Sequence, residues 1–240
     1  MNRPLASAEG STACLRRLTV EAGLAAEQAI LEGVREGEYR QAVLAWQPLD
    51  QALVMPQRQA RMANFPHAKQ VLAERGWPIV FRNSGGEPVP QSPAVVNVAL
   101  VRRYPVGNIE RAYRDLCEPW CDWLASRGVK ADIGTVPGGY CDGCFNVRVA
   151  GRKLVGTAQR CRRCRDSNAM AVLVHGAMLF TGDRHALVAT VNAFHQALGE
   201  TLRYRPDRHI ALLEACTLSQ GSETGMAELL GYVNANKYAV

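Results

Sequence analysis

Residues 108–127 carry the strongest helical pattern in the chain, with Ile109, Tyr113, Leu116, Trp120, Trp123 and Leu124 recurring at spacings of three and four. A helix with two tryptophans on its apolar face needs a broad partner surface, and a β-sheet offers one. Gly128 ends the pattern, and Pro119 is the place where the helix would kink.

The remaining segments supply the sheet and further helices. Residues 42–46 and 52–55 are β-rich runs around Gln47-Pro48-Leu49-Asp50, which reads as two strands about a turn. Strands are also expected over 78–81, 94–101 and 170–180, with a loop over 82–92, and 147–149 with 154–157 reads as a hairpin turning at Ala150-Gly151. Helices are expected over 22–34, closed by Gly37, and over 66–75, with Pro66 at its start and Gly76 at its end. Another starts at Asp183 or His185 and runs to Leu198, and a short one spans 227–233. This order predicts an α+β fold, a largely antiparallel or mixed sheet flanked by helices. With 240 residues, 48% hydrophobic and 21% charged, the chain can bury such a core without disulfides. The expected organisation is a flexible N-terminus over 1–15 and a single domain over 16–240.

Residues 1–14 lack the apolar stretch of a secretory signal, and the apolar run over 169–180 contains His175 and is too short to span a bilayer. The expectation is a cytoplasmic protein without membrane association. In a reducing compartment its eight cysteines are free, metal-bound or catalytic rather than paired. A net charge of +6 favours acidic partners. Part of that charge sits in Arg160, Arg162, Arg163 and Arg165, either a solvated loop or a contact surface for an anionic partner.

Two segments carry chemistry. In Phe81-Arg82-Asn83-Ser84-Gly85-Gly86-Glu87-Pro88-Val89, paired glycines let main-chain N–H groups approach a ligand, and Arg82 can hold a carboxylate or phosphate. Taken alone, this is also an ordinary turn. In Gly151-Arg152-Lys153-Leu154-Val155-Gly156-Thr157-Ala158-Gln159, a lysine follows a tight turn on a strand, where it can neutralise an acyl carboxylate or acyl phosphate. The small residues after it leave room for a ligand.

Together these segments resemble the lipoate-protein ligase and octanoyltransferase branches of the biotin/lipoate protein ligase superfamily. Arg82 to Gly86 with Val89 is similar to the family's lipoyl-binding loop, Lys153 to Gln159 to its lysine strand, and His175-Gly176 with Leu179 to the strand that follows. Asn97 fits the asparagine after the loop, and Thr217 with Leu218 the end of the catalytic domain, so the resemblance spans residues 22–230. It implies a biotin/lipoate ligase-like catalytic domain in which Lys153 contacts the acyl carboxylate and the adenylate phosphate. Arg82, Ser84, Gly85 and Gly86 would line the lipoyl or octanoyl tunnel, and Gly156, Thr157 and Ala158 would shape its floor. Asn146 is a partial match to the family's nucleotide- and magnesium-holding pair, so ATP with magnesium is a candidate co-substrate beside lipoate or octanoate. The acceptor implied is an acidic lipoyl carrier domain or a glycine-cleavage H-type protein, which suits the positive charge, and a separate accessory subunit is a candidate partner. Nucleic acid is not expected. The chain departs from the family at Glu87, which stands for the third loop glycine, and at Gln91-Ser92, which replace a histidine-aspartate pair.

Cys141-x2-Cys144 and Cys161-x2-Cys164 bracket the Lys153 hairpin with spacing that suits a tetrahedral zinc site. The resemblance offers another use, because some octanoyltransferases load the acyl group on a cysteine, and Cys141 or Cys144 lies upstream of Lys153 as a candidate nucleophile. Cys117 and Cys121, one helical turn apart, read as packing residues. Three functions follow in order: a lipoate-protein ligase attaching lipoyl or octanoyl to a carrier lysine through acyl-AMP; a cysteine-dependent octanoyl or lipoyl transferase drawing on acyl carrier protein; and a zinc-ribbon binding module with a basic patch.

Overall fold

The computed structural model describes residues 14–216 and 222–235. Thr217 and Leu218 lie outside the described residues, as do residues 1–13 of the N-terminal segment. In chain order the elements are β1 (Leu15–Leu18), α1 (Val20–Glu36), β2 (Gln41–Pro48), β3 (Ala52–Pro56), α2 (Phe65–Glu74), β4 (Ile79–Arg82), β5 (Val89–Gln91) and β6 (Val95–Tyr104). There follow α3 (Ile109–Ala125), β7 (Ala131–Gly134), β8 (Asn146–Val149), β9 (Arg152–Arg163), β10 (Met170–Leu179), α4 (Arg184–Ala197), α5 (Leu212–Ala215) and α6 (Ser222–Ala235).

The strands form two sheets, one of seven strands ordered β1-β2-β6-β10-β9-β8-β7 and one of three ordered β4-β3-β5. The large sheet is antiparallel except for the parallel β1–β2 edge. The fold is therefore α+β with a mixed sheet flanked by helices. The tryptophan-bearing helix α3 runs through Pro119 and, with α6, covers one face of the large sheet, where Leu116, Trp120, Trp123 and Leu124 are fully buried against Val98, Val155 and Val174. Burial of each such side chain stabilises by roughly 1.5–3 kcal/mol. Helix α1 covers the opposite face through Ile30, Leu31 and Val34 against Leu44, Ala99 and Leu173. It is capped at one end by Thr19, whose hydroxyl accepts from Ala22 N–H, and at the other by Gly37 in the left-handed conformation. Helices α2 and α4 pack on the small sheet.

The expected hairpin over 42–46 and 52–55 does not form, since β2 pairs with β1 and β6 while β3 pairs with β4 and β5. Both runs are buried along nearly their whole length, β3 at every residue, so each needs cover on two faces. An isolated hairpin would leave one face wet. The loop expected over 82–92 also contains a strand, β5, that closes the small sheet. Strands β1 and β7 were not anticipated, as four residues at a sheet edge carry too little alternation to register.

Candidate functional site

A cavity lined by residues of both sheets lies between them. Leu24, Trp46, Val54, Val89, Val95, Leu154, Ala177 and Leu179 supply its apolar wall, and polar groups collect at its ends. A largely apolar space with a few convergent polar groups is the usual form of a small-ligand site.

Lys153 marks one end. It is 4% exposed, and its Nζ donates to the carbonyl oxygens of Tyr140 (2.8 Å) and Cys141 (2.7 Å). Burial pushes the Lys153 ammonium below its ordinary value, which eases loss of its proton. Gly156 leaves room for the lysine stem, because a Cβ there would lie 2.6 Å from Lys153 Cε. His209 stands beside it. Its ring stacks on Tyr140 at 4.2 Å, its Nε2 accepts from Tyr140 N–H at 3.4 Å, and Ile210 N–H donates to Lys153 O at 3.0 Å. Burial, followed by the nearby Lys153 charge, pulls the His209 imidazole down to about 3, so it is neutral at physiological pH.

Cys141 lines the same cavity and takes a positive φ of 47°. Its N–H donates to Glu87 Oε2 at 3.0 Å, while Glu87 N–H donates to Cys141 Sγ at 3.3 Å. The preceding loop residue must be glycine. Gly86 has φ +101°, and a Cβ there would lie 2.9 Å from that sulfur and 2.8 Å from Arg82 Nη2. Arg82 is buried and braces its own loop, donating to Gly85 O and Glu87 O. The Cys141 loop is further pinned by Asp142, which accepts from Val136 N–H and from the Asn146 amide.

The far end holds a second polar group. His175 sits opposite Ala158 on β9, five residues along that strand from Lys153, or roughly 17 Å at ~3.4 Å per residue. Its Nδ1 is 2.7 Å from Glu27 Oε2, its Nε2 is 3.0 Å from Ser84 Oγ, and Trp46 Nε1 donates to the other Glu27 oxygen at 2.9 Å. A carboxylate only accepts, so Nδ1 carries a proton. An adjoining cleft, lined by Ser84, Arg160, Gln28 and Phe81, shares Leu24, Glu27, Arg82 and His175 with the main cavity.

Of the anticipated acyl-binding residues, Arg82, Gly156, Thr157 and Ala158 line the cavity, and Ser84 reaches it through His175. Gly85 and Gly86 shape the loop without lining the space. Asn146 is 1% exposed, and its amide nitrogen donates to Gly134 O, Asp142 and Gly143 O, so the side chain helps fix the Cys141 loop. Asn97 is spent likewise on Gln91, through two reciprocal 2.9 Å bonds.

The zinc expectation for Cys141, Cys144, Cys161 and Cys164 is not met. Among the described residues no three His, Cys, Asp or Glu side chains are placed to hold a metal ion. Cys161 lies within β9, so Cys164, three residues on along extended chain, points to the other side and packs under α1. Cys144 is exposed and Cys141 faces the cavity, which favours Cys141 as the nucleophile. Three of the four clustered arginines have side-chain partners within the fold: Arg160 donates to Asn83 O, and Arg162 and Arg165 pair with Glu32 and Glu36. These placements remove the zinc-ribbon reading. Cys117 is buried in the core beneath α3, as a packing residue should be.

Glu27, Trp46, Tyr140 and His209 were not anticipated as site residues. Glu27 had a signal, since it falls on the same helical face as Ile30, Leu31 and Val34, where a charge needs a buried partner. His209 had none, because its partner Tyr140 is 69 residues away.

In sequence, residues 20–216 match the family described as lipoyl protein ligase A/B catalytic domain. An uncharacterized protein of Cupriavidus necator is 32% identical, over 87% of this chain and 86% of its own length. An octanoyl-GcvH:protein N-octanoyltransferase of Kyrpidia tusciae is 37% identical, over 58% of this chain and 50% of the relative, so the match spans about half of that protein. In structure, a putative lipoate protein ligase from T. acidophilum with bound lipoic acid superposes with a TM-score of 0.67 at 18% identity, over 93% of this chain and 84% of that one. Likeness at that identity concerns the fold. No helix among the described residues is long and apolar enough to cross a membrane.

Proposed function

This chain belongs to the lipoyl protein ligase A/B catalytic-domain family, and on that premise we propose that it transfers an octanoyl or lipoyl group to a carrier lysine through a thioester on Cys141. The observation that carries this reading is the meeting of Cys141 and Lys153 on the wall of one cavity, with the lysine ammonium on the cysteine's own carbonyl. The name of the transferase relative, octanoyl-GcvH:protein N-octanoyltransferase, supports an octanoylated H-type carrier as donor and a protein as acceptor.

The step begins with Cys141 Sγ adding to the acyl carbonyl of the donor amide. The donor's C–N bond breaks and the thiol proton leaves on the departing lysine amine, with Lys153 as the proposed relay. The acceptor lysine amine then attacks the thioester, and the sulfur regains a proton. One amide is exchanged for another, so the sequence needs no nucleotide. The apolar walls exclude water from the thioester. A family ligase would instead activate the acid with ATP and magnesium.

Intact-mass spectrometry of the protein mixed with octanoylated H-type carrier tests the proposal. The expected result is an octanoyl adduct removed by hydroxylamine, absent in Cys141→Ser and present in Cys144→Ser. Octanoate-dependent ATP–pyrophosphate exchange without any adduct would overturn it in favour of the adenylate route.

A further inference from the structure

Glu87 stands where the family resemblance sets a glycine, and it is joined to Cys141 by two hydrogen bonds of opposite sense. Its carboxylate Oε2 also accepts from the Tyr204 hydroxyl at 3.0 Å, and its carbonyl oxygen accepts from Arg82 Nη2 at 3.0 Å. Among the described residues no Lys, Arg or His lies within ion-pair distance of that carboxylate. A half-buried carboxylate with no ion pair in direct contact is held mainly by its hydrogen bonds, and here those come from the nucleophile's main chain and one tyrosine, with the Lys153 charge acting at longer range. The half-exposed face alone would not fix it there.

Cys141 needs such a hold. A non-glycine residue at φ 47° is strained by about 1 kcal/mol or more, and it stays there only when its surroundings impose it. Lys153 grips the cysteine carbonyl and Glu87 grips the cysteine N–H, so the main chain is fixed on both sides of the thiol. The Glu87 N–H meanwhile aims at the sulfur across the gap that Gly86 keeps open.

We propose that Glu87 is a positioning residue for the thiol, locking the loop over 82–87 to the Cys141 loop so that the sulfur is held in its attacking orientation. This rests on Cys141 being the nucleophile. The carboxylate takes no proton and touches no substrate in this role; what it contributes is geometry, and displacement of a reacting atom by ~1 Å can cost about 100-fold in rate.

The test is the time course of acyl loading from octanoylated H-type carrier, read by intact mass, for wild type, Glu87→Ala and Glu87→Gln, with melting temperatures measured alongside. Glu87→Ala should load about 10- to 100-fold more slowly at saturating donor, with KM changed less than ~3-fold. Glu87→Gln keeps an oxygen that accepts from both Cys141 N–H and Tyr204, and should recover to within ~5-fold of wild type at an unchanged melting temperature. A wild-type loading rate in Glu87→Ala overturns the inference while leaving the transferase reading intact. Equal loss in both variants also overturns it, since the charge or the fold would then matter and not the clamp. If wild type itself forms no adduct on Cys141, both readings fall together.

Discussion

The Lys153 ammonium is bound 2.7 Å from the carbonyl oxygen of Cys141, so the cation that lines the cavity also holds the loop that carries the thiol. Lys153→Met keeps the bulk and removes the charge, leaving the Tyr140 and Cys141 carbonyls without their donor. Loading of Cys141 should fall about 100- to 1,000-fold, with a stability change on the order of 1–3 kcal/mol either way. Single-turnover loading and urea denaturation measure the two effects, and a Met variant that loads at the wild-type rate would show that the cation does not act in the step.

Gly156 is a packing requirement of the same lysine. A Cβ would approach Lys153 Cε to 2.6 Å and Nζ to 2.9 Å, and the far end of the side chain would have to shift. Gly156→Ala is therefore expected to cost about 1–3 kcal/mol and to slow loading together with it. Thermal unfolding with the same loading assay checks this, an unchanged variant showing that Lys153 has spare room.

At the far end, His175 stands between the cavity and the adjoining cleft and lines both. His175→Ala opens the space between the two and removes one of the two partners of the buried Glu27 carboxylate, so stability should drop by roughly 2–3 kcal/mol. The acyl preference should move as well, with dodecanoyl loading gaining at least ~10-fold relative to octanoyl. Competition between the two acyl donors reads the ratio, and an unaltered preference would mean that the limit on length lies elsewhere.

His209 makes stability depend on pH with a definite sign. Its imidazole titrates near 6.5 when unfolded and at about 3 when folded, so between those values the unfolded chain binds a proton that the folded chain does not. The stability this group contributes is complete above pH 6.5 and is lost as pH falls toward 3, by roughly 1.4 kcal/mol per pH unit within that window. His209→Phe keeps a ring against Tyr140 and cannot titrate. The wild-type minus variant stability should be flat above pH 7 and decline steadily from pH 6 to 4 in denaturant titrations; parallel curves would rule the effect out.

Much of the site was legible because its signals are local. The Lys153 hairpin announces itself through Ala150-Gly151 and the small residues after the lysine, and β8 and β9 form where that pattern sets them. The Arg82 to Gly86 loop is equally local. What could not be read was which elements face each other: Ser84 meets His175 over 91 residues and Glu27 meets it over 148. The cysteine spacing misled for a related reason, since a tight C-x2-C turn was assumed where Cys161 extends along a strand and sends Cys164 under α1.

The sequence by itself determined the family, the order of most helices and strands, and the lysine and glycine-rich segments, because periodicity and turn chemistry act over a few residues. Only the tertiary structure decided that β2 and β3 part into two sheets, that a cavity opens between them, and that Cys141, and not Cys144, faces it. It also decided that Glu87, in place of a glycine, grips that cysteine across 54 residues. The physical reason is that strand pairing and burial on both faces bring distant segments together, and hydrogen bonds of 3 Å reach are then set by that packing, which no local pattern encodes.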